Sequence, residues 1–351
     1  MRHNKLPFII AILLIISRAL YAQAAPAWVN NLEQAYPSRD WVAVVSQGNS
    51  QPQAEAAAMN ALARAFKTDV DSLTKTSQAY SQIVDNSGNS KTGAKTISFE
   101  ESKNFSQDVH TSTNVQGLIG VQIDVYRAAD GTVYVNARMN RRDCATRYRA
   151  MIRENAATIQ KLLDSAAAAK DQAAMEVYAR LSFACAIAQA TDNFQSLLEV
   201  IDPAAVNNKP SYGGANAIKA KMVECAALIT IGVTVNTAQA DDAGLFTRAA
   251  GSFFSDLGFK TNEQGQGNYV LGVNVRFESL AQNVVSCRYY LDAALKNKAG
   301  TAIFTFTEDD RKAHPNSTSE ARRLAVRAVE TSFKEGKFAQ EFNNWLNSLL
   351  N

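Results

Sequence analysis

Few residues in this chain have the type and spacing that chemistry requires. His110 and His314 are the histidines beyond the first 24 residues. His110 lies in a Ser/Thr-rich stretch that offers hydroxyl nucleophiles, but no G-x-S-x-G elbow accompanies it. His314 precedes Pro315 in an expected loop, where a solvated imidazole is the ordinary state. A nucleophile, a base and an orienting group cannot be assembled from these motifs, so no catalytic residue is assigned and no enzyme is expected. The run Glu308-Asp309-Asp310 lacks the ligand spacing and turn glycine of a calcium loop and reads as a solvated acidic turn at a strand end. Gly265-Gln266-Gly267 neither has dinucleotide-fold spacing nor opens a helix, and reads as a hairpin turn. The four cysteines, Cys144, Cys185, Cys225 and Cys287, form neither a C-x-x-C motif nor a zinc spacing, so neither a metal nor a cofactor is expected. They are either bridged, as Cys144–Cys185 and Cys225–Cys287, or four buried thiols.

The elements that must position these residues begin with Trp41–Phe66. An apolar strand, Trp41 to Val45, is followed by a Gly48 turn and an alanine-rich helix. On a 3.6-residue period Ala54, Ala57, Ala58, Ala61, Leu62 and Ala65 share one face, and Ser50 with Gln53 has the spacing of a capping box. Methyl-sized side chains let a helix lie close to a sheet, which predicts a two-layer α+β domain. Trp28 and Trp41 read as anchors that pin the opening segment to the core. Residues 69–116 fit helix and strand equally. Leu118 to Val125 and Val133 to Met139 alternate around Asp130-Gly131 and predict a β-hairpin.

Two helical stripes follow, through Ala145, Tyr148, Ile152, Ala156, Ile159 and Leu163, and through Ala174, Val177, Leu181, Ala184, Cys185 and Ala188. Asp192 is placed to cap a shorter helix carrying Phe194, Leu197, Leu198 and Ile201. Together, residues 141–201 read as a helical hairpin acting as a spacer. Residues 202–221, with Pro203, Pro210 and Gly213-Gly214, read as a linker. From 222 to 351 a second α+β domain is expected. It has a strand at Leu228–Val235, a helix capped by Asp241 or Asp242 and stopped by Gly258, and three antiparallel strands through Tyr269–Phe277, Val285–Ala293 and Thr301–Phe306. A helix opened by a Ser317/Glu320 capping box and a final helix close it. The last helix carries Phe338, Phe342, Trp345 and Leu349, a stripe that either completes the core or forms a candidate partner-docking patch. The fold class is therefore α+β: two two-layer α/β domains with mainly antiparallel sheets, joined by the helical hairpin.

The cellular address is written at the start. Arg2 and Lys5 precede an apolar run from Leu6 to Ile16, and Ala22-Gln23-Ala24 supplies a small-x-small cleavage pattern, so residues 1–24 read as a cleaved signal peptide. Eleven apolar residues fall short of the roughly 20 that span a bilayer, and no transmembrane segment is expected after cleavage. No cysteine precedes Cys144, so a mature chain lipidated through an N-terminal cysteine is not expected. Cleavage removes Arg2, Lys5 and Arg18 and no acid, which lowers the basic count from 36 to 33 against 33 acids. A near-neutral chain without basic-aromatic clusters carries no footprint for nucleic acid.

The order Pro26-x-Trp28, Tyr36-Pro37, strand, Gly48, Ala-rich helix, polar stretch, Leu118-Ile119-Gly120-Val121 and Gly131 to Met139 resembles the Lpp-twenty-like domain over about residues 26–155. This is a family of envelope lipoproteins to which the N-terminal module of the flagellar assembly protein FlgT is similar. The resemblance implies an envelope protein associated with the outer membrane or flagellar assembly and carries over no catalytic residue. Unlike the founding members, this chain lacks the lipid-accepting cysteine. The element order after residue 222 is similar to the periplasmic α/β domain of the TolB N-terminal part, the curli secretion component and lipoprotein activators of peptidoglycan synthases. That similarity implies a protein-binding module. The expectation is a non-enzymatic cell-envelope protein, periplasmic or outer-membrane-associated, acting as an adaptor for envelope or outer-membrane proteins. The alternatives are a periplasmic ligand-binding protein or enzyme, and a purely structural envelope component. A homo-oligomer is compatible with each.

Overall fold

A computed structural model describes residues 24–66, 80, 118–169, 174–207, 210–281, 285–315 and 317–350. The signal segment, nearly all of 69–116, and His110 lie outside these. The chain is α+β and clusters into two compact units. Among the described residues, the first comprises 24–66, 80, 118–155 and 190–207, and the second the remainder.

In the first unit, short helices α1 (Ala27–Asn30) and α2 (Leu32–Ala35) lead to β1 (Trp41–Gly48) and α3 (Gln51–Ala65). Then come β2 (Gln122–Arg127) and β3 (Val133–Asn140), paired antiparallel as the expected hairpin. The sheet order is β1-β3-β2, also antiparallel between β1 and β3. A Cβ on Gly48 would lie 2.9 Å from the Ala54 nitrogen, so glycine permits the tight turn from strand into helix. The helix face that is buried is Ala54, Ala58, Met59, Leu62 and Ala63, while Ala65 is exposed. The capping box at its start is not formed. Ser50 is the N-cap without a side-chain bond, and Gln53 Oε1 instead accepts from the Asn49 N–H at 3.1 Å.

The expected strand from Leu118 begins only at Gln122. Leu118-Ile119-Gly120 is a buried turn: the Ile119 N–H donates to Tyr148 Oη at 3.2 Å, and Cys144 Sγ donates to the Ile119 carbonyl at 3.4 Å. Gly120, at φ 75°, sits where a Cβ would lie 2.9 Å from that sulfur.

Long helices α4 (Arg141–Ala168) and α5 (Ala174–Ile201) each contribute to both units. In the first, Tyr80 and Tyr148 pack against Phe194 with ring centroids 5.2 and 6.0 Å away. A buried chain runs from Tyr80 Oη to Asn155 Oδ1 at 2.6 Å and from Asn155 Nδ2 to Thr191 Oγ1 at 3.0 Å. The break expected at Asp192 does not occur. No glycine or proline interrupts Ala174–Ile201, and the apolar stripe continues through Phe194, Leu197 and Leu198.

In the second unit, α6 (Ala215–Ala226) occupies part of the expected linker, with Ala215, Ile218, Cys225 and Ala226 buried. It is followed by β4 (Thr230–Thr237), α7 (Ala240–Asp256), β5 (Lys260–Asn262), β6 (Tyr269–Ala281), β7 (Val285–Asn297), β8 (Ala302–His314), α8 (Thr318–Lys334) and α9 (Lys337–Ser348). The sheet order is β5-β4-β6-β7-β8. The β6-β7-β8 meander is antiparallel as expected, but β4 runs parallel to both β5 and β6, and β5 itself has too few residues to show a period.

Parallel pairing means that the segment between β5 and β6 must cross β4 rather than reverse direction. Gly265-Gln266-Gly267 is therefore a strap over β4 and not the expected hairpin turn. A Cβ on Gly232 would lie 2.4 Å from the Gly265 carbonyl carbon, and one on Gly267 would lie 2.4 Å from the Thr230 oxygen. Only glycine lets two backbones approach this closely.

Gly258 ends α7 at φ 85°, with Phe259 N–H bonded to Phe254 O at 3.0 Å and Gly258 N–H to Ser255 O at 2.9 Å, a Schellman arrangement. The N-cap of α7 is Gln239. Neither Asp241 nor Asp242 caps it, and Asp242 is buried in an ion pair with Arg322 of α8. Ser317 caps α8, accepting from the Glu320 N–H at 3.2 Å.

The helices α7, α8 and α9 cover one sheet face. Phe253, Phe254, Phe304, Phe338 and Phe342 form its centre, with Phe304 and Phe342 edge-on at 5.3 Å. Each such pair adds about 0.5–1.5 kcal/mol beyond its buried area.

Candidate functional site

The residues singled out for chemistry do not converge. His314 ends β8 opposite Val285 and is not in a loop. Glu308-Asp309-Asp310 lies within β8 rather than in a turn, so strand alternation sends the side chains to opposite faces. Glu308, on the helix-covered face, accepts from Tyr289 and Ser332. Asp309, on the other face, pairs with Arg288 at 2.5 Å. Asp310 pairs with Lys312 at 2.6 Å, and that ammonium holds its carboxyl below the usual range. Among the described residues, no three His, Cys, Asp or Glu side chains are grouped to hold a metal ion.

Of the two alternatives for the cysteines, the structure holds thiols and neither bridge; Cys144, Cys185, Cys225 and Cys287 are all free and buried. Each sulfur instead lies near a backbone carbonyl: Cys185 is 3.8 Å from Ala215 O, Cys225 3.5 Å from Ala174 O, and Cys287 3.9 Å from Arg288 O. Burial pushes the Cys144 thiol up to about 11 and raises Cys225 and Cys287 as well, so these are poor nucleophiles.

The candidate docking patch on α9 is largely core. Phe338 and Phe342 are 0% exposed, and only Trp345 and Leu349 are half-buried at its rim. An apolar stripe at helical spacing faces inward once a sheet lies beside it.

In the first unit, the sheet face carrying Trp41, Asp124 and Arg138 holds a closed cluster. Arg138 pairs with Asp124, and its guanidinium lies 4.7 Å from the Tyr36 ring centroid and 5.9 Å from that of Trp41. Tyr36 Oη donates to Asp124 at 3.3 Å. Asn136, in the orientation its neighbours require, accepts from Arg138 at 3.2 Å and donates to the Val44 carbonyl at 3.2 Å. With its charge paired and its flat faces against aromatic rings, Arg138 pins the segment before β1 to the sheet.

The candidate site is the face of the five-stranded sheet opposite α7, α8 and α9. Strand alternation puts Ile231, Val233, Leu271, Val273, Leu291 and Ala293 toward the helices, leaving the intervening residues exposed or half-buried except Gly232, which the Gly265–Gly267 strap covers. The register aligns these in rows across the strands. One row is Asn236, Asn274, Asp292 and Thr307; the next is Thr234, Gly272, Ala294 and Thr305; and beyond it Val270 stands opposite Lys296. Small residues in the middle row make a trough of about 610 Å³ between the Asn236-Asn274-Asp292-Thr307 row on one side and Val270 and Lys296 on the other. Asn236 Nδ2 donates to Asn274 Oδ1 at 3.4 Å. The side chains of Asp292 and Lys296 have no ion-pair or hydrogen-bond partner among the described residues. This arrangement can bind a polar partner by hydrogen bonds and charge but offers no activated nucleophile.

The sequence reading missed this face because it followed the apolar half of each alternation. The signal was present in the complementary half, Asn236, Asn274 and Asp292, but their alignment depends on register.

No family model and no curated protein matches this chain. Among solved structures it is similar to the secreted protein HP1454 from the human pathogen Helicobacter pylori, at 11% identity with a TM-score of 0.35, covering 84% of this chain and 97% of that one. It is also similar to a lipoprotein from Neisseria meningitidis, at 15% identity and a TM-score of 0.22, over 28% of this chain and 94% of that one. A minor lipoprotein from Acinetobacter baumannii is similar at 15% identity and a TM-score of 0.24, over 35% of this chain and 92% of that one.

Proposed function

We propose that this protein is a non-enzymatic component of the bacterial cell envelope, exported by its leader. In this reading it is an adaptor that contacts other envelope proteins in building or maintaining an outer-membrane or surface structure. The observation that carries the reading is the helix-free face of the five-stranded sheet, with its aligned Asn236-Asn274-Asp292-Thr307 row. A sheet face that no helix covers, with the Gly265–Gly267 strap crossing it at Gly232 and Thr234 of β4, and with polar groups that have spare hydrogen-bonding capacity, suits contact with another polar surface. The apolar leader and cleavage pattern of residues 1–24 support export. No helix among the described residues is long and apolar enough to cross a membrane.

The test is site-specific photo-crosslinking in intact envelopes. A photoreactive residue replaces Asn274 on the open face or, as control, the exposed Lys334 on α8. One discrete adduct with an identified envelope protein from position 274 alone is the expected result. Equal labelling from both positions, or an adduct only with the chain itself, overturns the adaptor reading and favours the purely structural one.

A further inference from the structure

The trough on the open sheet face is shaped and charged at its two ends in a way that selects a ligand class. Asp292 and Lys296 project from the same face of β7, four residues apart and so about 13 Å apart at the ordinary strand rise. Ala294 stands between them and Gly272 beside it, which leaves the floor between the two charges without bulky side chains. Thr234 and Thr305 stand at the sides, and Asn274 lies next to Asp292.

Two opposite charges on one face normally reach for each other or for neighbours. Here neither side chain has a partner among the described residues, and the separation is too long for a direct salt bridge between them. A ligand carrying an ammonium at one end and a carboxylate at the other would satisfy both at once.

We infer that the trough binds a short zwitterionic peptide of about three residues. Its free amino terminus lies at Asp292 and its free carboxylate at Lys296, while amide and hydroxyl side chains bond the backbone between them. A tripeptide extends about 10 Å at 3.3–3.6 Å per residue, which fits within the roughly 13 Å between the Asp292 and Lys296 Cα atoms, and the long Lys296 side chain can adjust its ammonium to the ligand carboxylate. The 610 Å³ trough lies within the range of roughly 300–1,000 Å³ usual for small-ligand sites. Side-chain specificity is weak by this construction, because the contacts are to termini and backbone. The inference rests on the reading of this sheet face as the binding surface.

The test is titration calorimetry of the full chain with trialanine, N-acetyl-trialanine and trialanine amide. Trialanine binds, and blocking either terminus weakens binding about tenfold or more. Asp292→Asn abolishes the penalty for the acetylated peptide and Lys296→Met that for the amide, each variant keeping the wild-type circular dichroism spectrum. The inference is overturned if trialanine at millimolar concentration gives no heat, if the blocked peptides bind as well as the free one, or if a neutral trisaccharide binds in its place. Failure here with a specific crosslink from Asn274 removes the peptide ligand and leaves the adaptor reading. Peptide binding without any protein crosslink does the reverse.

Discussion

Tyr289 on β7 donates from its hydroxyl to Glu308 Oε1 on β8 at 2.9 Å, and Glu308 receives a second bond from Ser332 Oγ on α8 at 2.5 Å. Ser332 in turn accepts from the Phe338 N–H at 3.2 Å, in the first turn of α9. One carboxylate, with its side chain 7% exposed, thus ties two strands to two helices.

Ser332→Ala should cost about 1–3 kcal/mol, since it leaves both a buried carboxylate oxygen and a backbone N–H without that partner. Urea denaturation of the variant measures this. An unchanged midpoint would show that the network adds nothing to stability.

The buried phenols give a pH dependence with a definite sign. Burial raises Tyr148, burial and then the Glu308 contact raise Tyr289, and burial pushes Tyr178 up to about 12, against an unfolded value of 10.0. A raised folded value means the stabilisation is complete below pH 10.0 and is lost as pH climbs from there toward the folded values, because only the unfolded chain then ionises freely. Thermal midpoints should therefore fall steadily above about pH 10. A Tyr178→Phe variant should fall less steeply, and parallel curves for the two proteins would contradict the account.

The thiols should be inert while the chain is folded. With all four buried and Cys144 raised to about 11, a disulfide-exchange reagent at neutral pH should find almost no reactive thiol in the native protein and four in denaturant. Two reactive thiols or none after denaturation without reductant would reveal bridges.

The strap over β4 makes Gly232 far more sensitive than an open turn glycine. Gly232→Ala drives a Cβ into the Gly265 backbone and should cost about 3 kcal/mol or more by overpacking. Gly131→Ala, at φ 90° with nothing within 4 Å, should cost about 1–2 kcal/mol from the left-handed conformation alone. Comparable losses in chemical denaturation would mean that the strap yields easily.

Phe342 and Trp345 separate core from rim on α9. Phe342→Ala should lose about 3–5 kcal/mol, since the ring is fully buried against Phe253, Phe254 and Phe304. Trp345→Ala should lose less, its ring being half-exposed. Reversed ranking in a denaturation series would place Trp345 in the core instead.

What the sequence determined by itself was what depends on near neighbours in the chain. The β2–β3 hairpin, the β6–β7–β8 alternation, the Gly258 stop and the Ser317 cap are legible because period, turn residues and capping act within a few positions. Tertiary structure decided everything that requires knowing what lies opposite. Parallel pairing of β4 turned Gly265-Gln266-Gly267 from a hairpin into a strap, because direction is set by the strand alongside. The β8 register put Glu308 under Tyr289 and Ser332 rather than in water, and packing of α9 on the sheet took Phe338 and Phe342 into the core. The Asp292–Lys296 trough arises in the same way. Each of its residues is an unremarkable polar or small position on its own strand, and only the lateral register of four strands brings them into rows.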